Sequence, residues 1–219
     1  SKLQEQLGTK KVHLLNDLEA TAYGMLYLSD DDFLDLNPHA KTVDGNRAVI
    51  AAGTGLGEAI LYHNANEYHP IGSEGGHTDF APLTSQQDKL LTYLRGRFPE
   101  HVSYERILSG PGIYTLYEFL SQSGFAPQPE AMINLEEGED PSATISKCAI
   151  KENDPLCLEV LRLFSEIYGA EAGNIALKSM SLGGVYISGG IAPKILPMLT
   201  DGNYMKTFAA TGRFISILG

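Results

Sequence analysis

Three polar clusters set among glycines carry most of the chemistry this chain could do. Asn16-Asp17 follows Val12-His13-Leu14-Leu15, a run that reads as a short buried strand. A carboxylate at the end of a strand can take a proton from a substrate hydroxyl while the neighbouring amide fixes that hydroxyl. The same pair equally fits an Asx N-cap for a following helix. Glu74-Gly75-Gly76-His77 presents an acceptor and a donor/acceptor from one tight loop, the mixture that vicinal hydroxyls require. A metal held by His77 and Asp79 lacks an evident third ligand, so no metal site is assigned. Glu105 stands beside Arg106 just before a capped helix, and the pair alone reads as a surface ion pair of small energetic value.

Glycine turns supply a second kind of chemistry. Gly53-Thr54-Gly55-Leu56-Gly57 lies between strand-like residues 47–52 and 58–63. It has neither the spacing nor the strand–turn–helix setting of a dinucleotide fingerprint, and GxxxxGK[ST] occurs nowhere in the chain. What remains is a hairpin whose backbone N–H groups could close on phosphate, with the Thr54 hydroxyl as an extra donor. A plain hairpin turn, its glycines supplying positive φ, accounts for the same residues. Gly189-Gly190 ends a strand-like segment and turns toward a helix. That turn could leave bare backbone for a nucleotide base or ribose, or be an ordinary tight turn.

The elements that must position these groups alternate between the two periods. Residues 18–28, the stretch opened by Thr84 with Gln87 as a capping box, and the stretch opened by Ser109-Gly110-Pro111 read as helices. Asp140-Pro141 and Asp154-Pro155 each pair an N-cap with proline at the first helical position. Behind Pro155 a long helix turns Leu161, Phe164, Ile167 and Tyr168 inward. Residues 183–188 return to strand, Gly189 to Pro193 lead into a last helix, and Phe214-Ile215-Ser216-Ile217 is strand-like. The class is mixed α/β.

Bulk properties narrow the partners. The 219 residues suffice for one large domain, and 43% hydrophobic with 20% charged residues is ordinary for a globular chain. The net charge of −11 comes with scattered basic residues, which removes the footprint that nucleic acid needs. ATP stays compatible, since a local nest of N–H groups with Mg²⁺ binds phosphate inside an acidic protein. Cys148 and Cys157 fit no zinc or redox spacing and read as small apolar fillers, in keeping with a reducing cytoplasm. No apolar run approaches the ~18 residues of a membrane span, and no signal peptide is evident. The run Glu136-Glu137-Gly138-Glu139-Asp140 reads as a solvated loop, and His13, His39, His63, His69 and His101 show no partner pattern.

The order of the motifs is more specific than any of them singly. Leu15-Asn16-Asp17, Gly53-Thr54-Gly55-Leu56-Gly57, Gly72-Ser73-Glu74-Gly75-Gly76-His77-Thr78-Asp79-Phe80, Tyr104-Glu105-Arg106-Ile107-Leu108-Ser109-Gly110-Pro111-Gly112 and Gly184-Val185-Tyr186-Ile187-Ser188-Gly189-Gly190-Ile191 follow in turn. The series resembles the bacterial glucokinase family, ATP-dependent hexose kinases of the actin-like ATPase superfamily. The resemblance implies the ribonuclease H-like α/β architecture with an active site between two domains. It implies Asp17 as the base that takes the proton from the sugar 6-hydroxyl, with Asn16, Glu74, His77 and Glu105 on the other hydroxyls. Gly53 and Thr54 match the family's second phosphate loop, and Gly189 with Gly190 its adenosine-side turn. Glucose, ATP and Mg²⁺ are the expected small molecules, and a homodimer is expected from the resemblance alone.

Two departures accompany it. The Asp-x-Gly-Gly-Thr phosphate loop that opens the family's small domain has no counterpart, and neither does its closing helix. The expectation is that residues 1–28 are the C-terminal end of the small domain and residues 29–219 the large domain. The chain by itself is then expected to be inactive or nearly so. The cysteine-rich zinc motif of repressor/kinase relatives is absent as well. A sugar sensor without turnover and a kinase for another hexose are the alternatives, and a carboxylate at Asp17 speaks for an enzyme.

Overall fold

The centre of the fold is β1 (Arg47–Ala52), whose Ala48, Val49, Ile50 and Ala52 are all buried. In a computed structural model, residues 2–9, 15–41, 43–65 and 67–214 are described. The strand expected at Val12-His13-Leu14 and the residues Ile215-Ser216-Ile217 lie outside that set, while Phe214 closes a short 3₁₀ turn, Gly212–Phe214. β1 pairs antiparallel with β2 (Leu56–Asn64), which pairs antiparallel with β3 (Glu67–Ser73), and β4 (Val185–Ser188) adds in parallel to β1. The sheet order is β3-β2-β1-β4.

Period-2 alternation sends β1 and β2 residues to two different cores. Ile50, Ala52 and Leu56 join the main core on one face, with the helices after β3. Val49, Ala59 and Leu61 face the other way, onto Ala22 and Met25 of α2 (Asp17–Met25), which follows α1 (Lys2–Leu7). The main core is built by α3 (Ser85–Arg97), α4 (Gly110–Gln122), α5 (Glu130–Ile133), α6 (Pro141–Glu152), α7 (Pro155–Ser179), α8 (Leu196–Leu199) and α9 (Asn203–Phe208). Helix α7 runs through it with Leu161, Phe164 and Tyr168 fully buried. Its stripe is covered by α4, α6 and α9 of the same chain. Among the described residues no helix is long and apolar enough to cross a membrane.

Caps explain most of the helix starts. Ser109 accepts from Gly112 N–H at 3.1 Å, Asp140 from Ser142 N–H at 2.9 Å and Asp154 from Cys157 N–H at 2.9 Å. The capping box expected at α3 is only half formed. Thr84 Oγ1 accepts from Gln87 N–H at 3.3 Å, but Gln87 Oε1 accepts from Leu83 N–H at 2.8 Å rather than from the cap residue itself. Strand β3 has no counterpart in the sequence reading, because Pro70 and alternating half-exposure mask it. It is an edge strand, where proline is tolerated. Cys148 and Cys157 are buried free thiols, and burial pushes both thiols up, as expected of fillers.

Candidate active site

Asn16 performs the capping role and delivers Asp17 to a cleft. Its Oδ1 accepts from Glu19 N–H at 2.6 Å, and Glu19 Oε2 accepts from Asn16 N–H at 2.9 Å, a closed capping box. Asp17 is then the first helical residue of α2. Its Oδ1 accepts from Leu18 N–H at 2.9 Å, and its other oxygen has no hydrogen-bond partner among the described residues. Glu19 ties this helix start to the sheet by accepting from Gly72 N–H at 3.2 Å, two residues ahead of Glu74.

Gly53-Thr54-Gly55 is the β1–β2 turn, closed by the Ala52–Leu56 pair and by Gly53 N–H donating to Gly55 O at 2.8 Å. The expectation of positive φ at these glycines does not hold, since neither Gly53, Gly55 nor Gly57 adopts it. Close approach is the physical reason instead. A Cβ at Gly55 would stand 2.5 Å from Glu105 Oε2, and one at Gly57 would stand 2.8 Å from Leu18 Cδ2. Gly189 does need glycine for its backbone: φ is +87°, and a Cβ there would land on the Ala52 carbonyl. Gly190 faces open space.

Glu105 sits in a 3₁₀ turn, Tyr104–Arg106, and its Oε2 accepts from Leu56 N–H at 3.0 Å. The surface pair with Arg106 is not formed, because Arg106 stacks its guanidinium 4.3 Å from the Phe98 ring centre. Glu105 reaches toward His77 instead, with 3.8 Å between Oε1 and Nδ1. His77 ends the 3₁₀ turn Gly75–His77, and Glu74 precedes it with an exposed side chain. Tyr104 N–H to Thr78 O at 3.1 Å and Phe80 N–H to Val102 O at 2.9 Å lock this loop to the Glu105 turn.

A cleft of about 390 Å³ gathers Asp17, Gly53, Thr54, Glu105, Ser188 and Gly189. Asn16 adjoins it through Asp17, and His77 through Glu105, whereas Glu74 and Gly190 do not line it. Asp79 turns away from His77 toward His101, Nε2 to Oδ1 at 2.9 Å, which gives His101 the partner its sequence position concealed. His63 likewise packs its ring 4.9 Å from Tyr68. Among the described residues no group of three His, Cys, Asp or Glu side chains could hold a metal ion.

Beneath the loop lies a pair of carboxyls that sequence reading passed over. Glu58 on β2 and Glu171 on α7 are both buried, 2% and 0% exposed. Burial first, and the Glu171 charge second, push the Glu58 carboxyl up to about 8. Lys178 Nζ lies 3.5 Å from Glu171 Oε1, and Asn174 Nδ2 donates to Glu171 Oε2 at 2.8 Å and to the Tyr104 hydroxyl at 3.1 Å. The signal existed: Glu171 is three residues after Tyr168 and four before Ile175, on the buried face of α7.

Comparison with known proteins decides the family. The family model described as Glucokinase matches residues 1–219. The chain belongs to the glucokinase family. A glucokinase of Nostoc sp. is 38% identical over 229 residues, covering 99% of this chain and 67% of that protein. One of Synechocystis sp. is 37% identical, covering 100% of this chain and 65% of that protein. The crystal structure of a glucokinase from an Antarctic psychrotroph superposes with a TM-score of 0.86 at 30% identity, over 100% of this chain and 65% of that one. The actin-like ATPase architecture expected from the motif order is therefore the fold of this chain. It spans about two thirds of the length of the glucokinases it matches.

Proposed function

We propose that this chain binds glucose and ATP and serves transfer of the γ-phosphoryl group to the sugar 6-hydroxyl. The observation that carries the reading is one cleft that holds a carboxylate with one oxygen unpartnered among the described residues, a glycine hairpin turn and a second glycine turn, in a member of the glucokinase family. Asp17 takes the proton from the attacking hydroxyl, the new bond forms from that oxygen to phosphorus, and ADP leaves with the electrons of the broken P–O bond. The Gly53-Thr54 turn offers backbone N–H groups and a hydroxyl to the phosphates, and the bare Gly189 turn receives the adenosine side. Asn16, Glu74, His77 and Glu105 hold the remaining hydroxyls, acceptors and donors that suit a neutral polyol.

The cleft's donor set fits magnesium that arrives on the nucleotide. Such an ion is held largely by phosphate and water rather than by an all-protein cage, which leaves Asp17 and Glu105 to the sugar. When bound it supplies charge neutralisation for the transferring group. Residues 1–28 then belong to the end of the small domain and residues 29–219 to the large one. We place the reaction in the cytoplasm as the entry to glycolysis, where the buried thiols Cys148 and Cys157 stay reduced. A homodimer would have to use surfaces other than the covered stripe of α7.

Glucose-dependent ADP release from the complete protein, with Asp17→Asn beside it, is the deciding experiment. The expected result is turnover that needs glucose and falls by about 10²–10⁴-fold in the variant. Glucose binding without turnover would instead make this a sugar sensor.

A further inference from the structure

Gly75 and Gly76 rest so closely on the start of β2 that a side chain at either would displace Glu58 or the β2 backbone. A Cβ at Gly75 would land on Glu58 Oε2, and one at Gly76 on the Leu56 carbonyl oxygen. The loop that carries Glu74 and His77 is therefore seated directly on a buried carboxyl. Among the described residues Glu58 Oε1 is buried with no hydrogen-bond partner. Glu58 and Glu171 are both buried, and the Glu171 charge adds to burial in pushing the Glu58 carboxyl up, so one of the two keeps its proton: two neighbouring charges out of water repel strongly. Lys178 stabilises the charge on Glu171, which leaves Glu58 as the protonated partner.

The backbone of Glu58 and the side chain of Glu171 lead to the two halves of the sugar pocket. On the β3 side, Ser73 Oγ donates to the Glu58 carbonyl at 3.2 Å and accepts from Gly75 N–H at 3.1 Å. On the α7 side, Asn174 links Glu171 to the hydroxyl of Tyr104, the residue before Glu105. The titratable and charged groups facing Glu58 are Glu171, Lys178 and Tyr168 of α7, with Tyr104 facing Glu171. Among the described residues, Lys178 supplies the cation that stands against the pair.

We propose that Glu58, buried under Gly75, is a positioning residue that holds the Glu74–His77 loop against the Glu105 turn and so sets affinity for the hexose. The proposal rests on the assignment of that loop to the sugar. When the proton leaves, two adjacent carboxylates push the floor apart under Gly75. Sugar affinity falls while nucleotide affinity at the Gly53 and Gly189 turns is left alone.

The test is glucose and nucleotide affinity of the full protein from pH 6.5 to 9.5, for the unaltered chain and for Glu58→Gln, which stays neutral beside Glu171. Glucose KM of the unaltered chain is expected to rise above pH of about 8, approaching tenfold per unit, with kcat and nucleotide affinity nearly unchanged. Glu58→Gln is expected to show no such rise. A flat glucose profile in the unaltered chain overturns the proposal with no variant needed. A rise that persists in Glu58→Gln overturns it as well, and both results leave the sugar assignment standing. No glucose binding by the unaltered chain at any pH overturns the sugar assignment and the proposal together.

Discussion

Glycines at 55 and 189 do different work, so alanine at each has a different consequence. At Gly189 the left-handed φ and the Ala52 carbonyl, a backbone atom that cannot step aside, act together. Gly189→Ala is expected to destabilise by about 1–3 kcal/mol, read as a lower urea midpoint at constant m. At Gly55 the obstacle is the end of the Glu105 side chain, and the backbone φ is ordinary. Gly55→Ala is expected to change stability by under about 1 kcal/mol and to raise glucose KM, because Glu105 must leave its place on Leu56 N–H. Equal effects on stability at the two sites would refute this division. Glycine spacing alone marked both positions, but a reason for Gly55 that sits fifty residues away in Glu105 is not local information.

At the scale of elements, α2 carries two duties at one residue. Asn16 Oδ1 caps the helix that aims Asp17, while its amide nitrogen faces Gly72 on β3: a Cβ there would stand 2.8 Å from it. Asn16→Asp keeps the cap acceptor and removes the amide donor. The expected outcome is an unchanged melting temperature with weaker glucose binding, measured by calorimetry. An unchanged affinity would reduce Asn16 to a cap alone. Both readings of Asn16-Asp17 were legible in the residues, and the cap geometry makes them compatible rather than rival. Helix starts were legible wherever proline followed an acidic cap, as at Pro141 and Pro155, because that signal is local. Strand β3 was not, since an edge strand with Pro70 owes its existence to pairing with β2.

For the molecule as a whole, the sheet's two faces and the α7 core follow from apolar periodicity, whereas the buried carboxyl pair depends on β2 meeting α7. Residues 58 and 171 are distant in the chain, and no local pattern joins them. Their proton ties the entire fold to pH. An unfolded glutamate ionises near ~4.3, and below that value Glu58 is protonated in both states, so its contribution is fully present. Between there and about 8 the unfolded carboxyl has lost its proton while the native one keeps it. The native state then binds more protons, and stability falls with rising pH by at most about 1.4 kcal/mol per unit. Above about 8 both states are ionised and the loss is complete. Glu58→Gln cannot ionise, so its melting temperature should lack this component. The gap between variant and unaltered chain should move in the variant's favour by several degrees from pH 5 to 8, at about 2–4 °C per kcal/mol for a chain of this size. Histidines and surface carboxylates titrate alike in both proteins and cancel in the difference. A gap that is constant over that range would mean that Glu58 enters the folded state already ionised, with Lys178 answering for both charges.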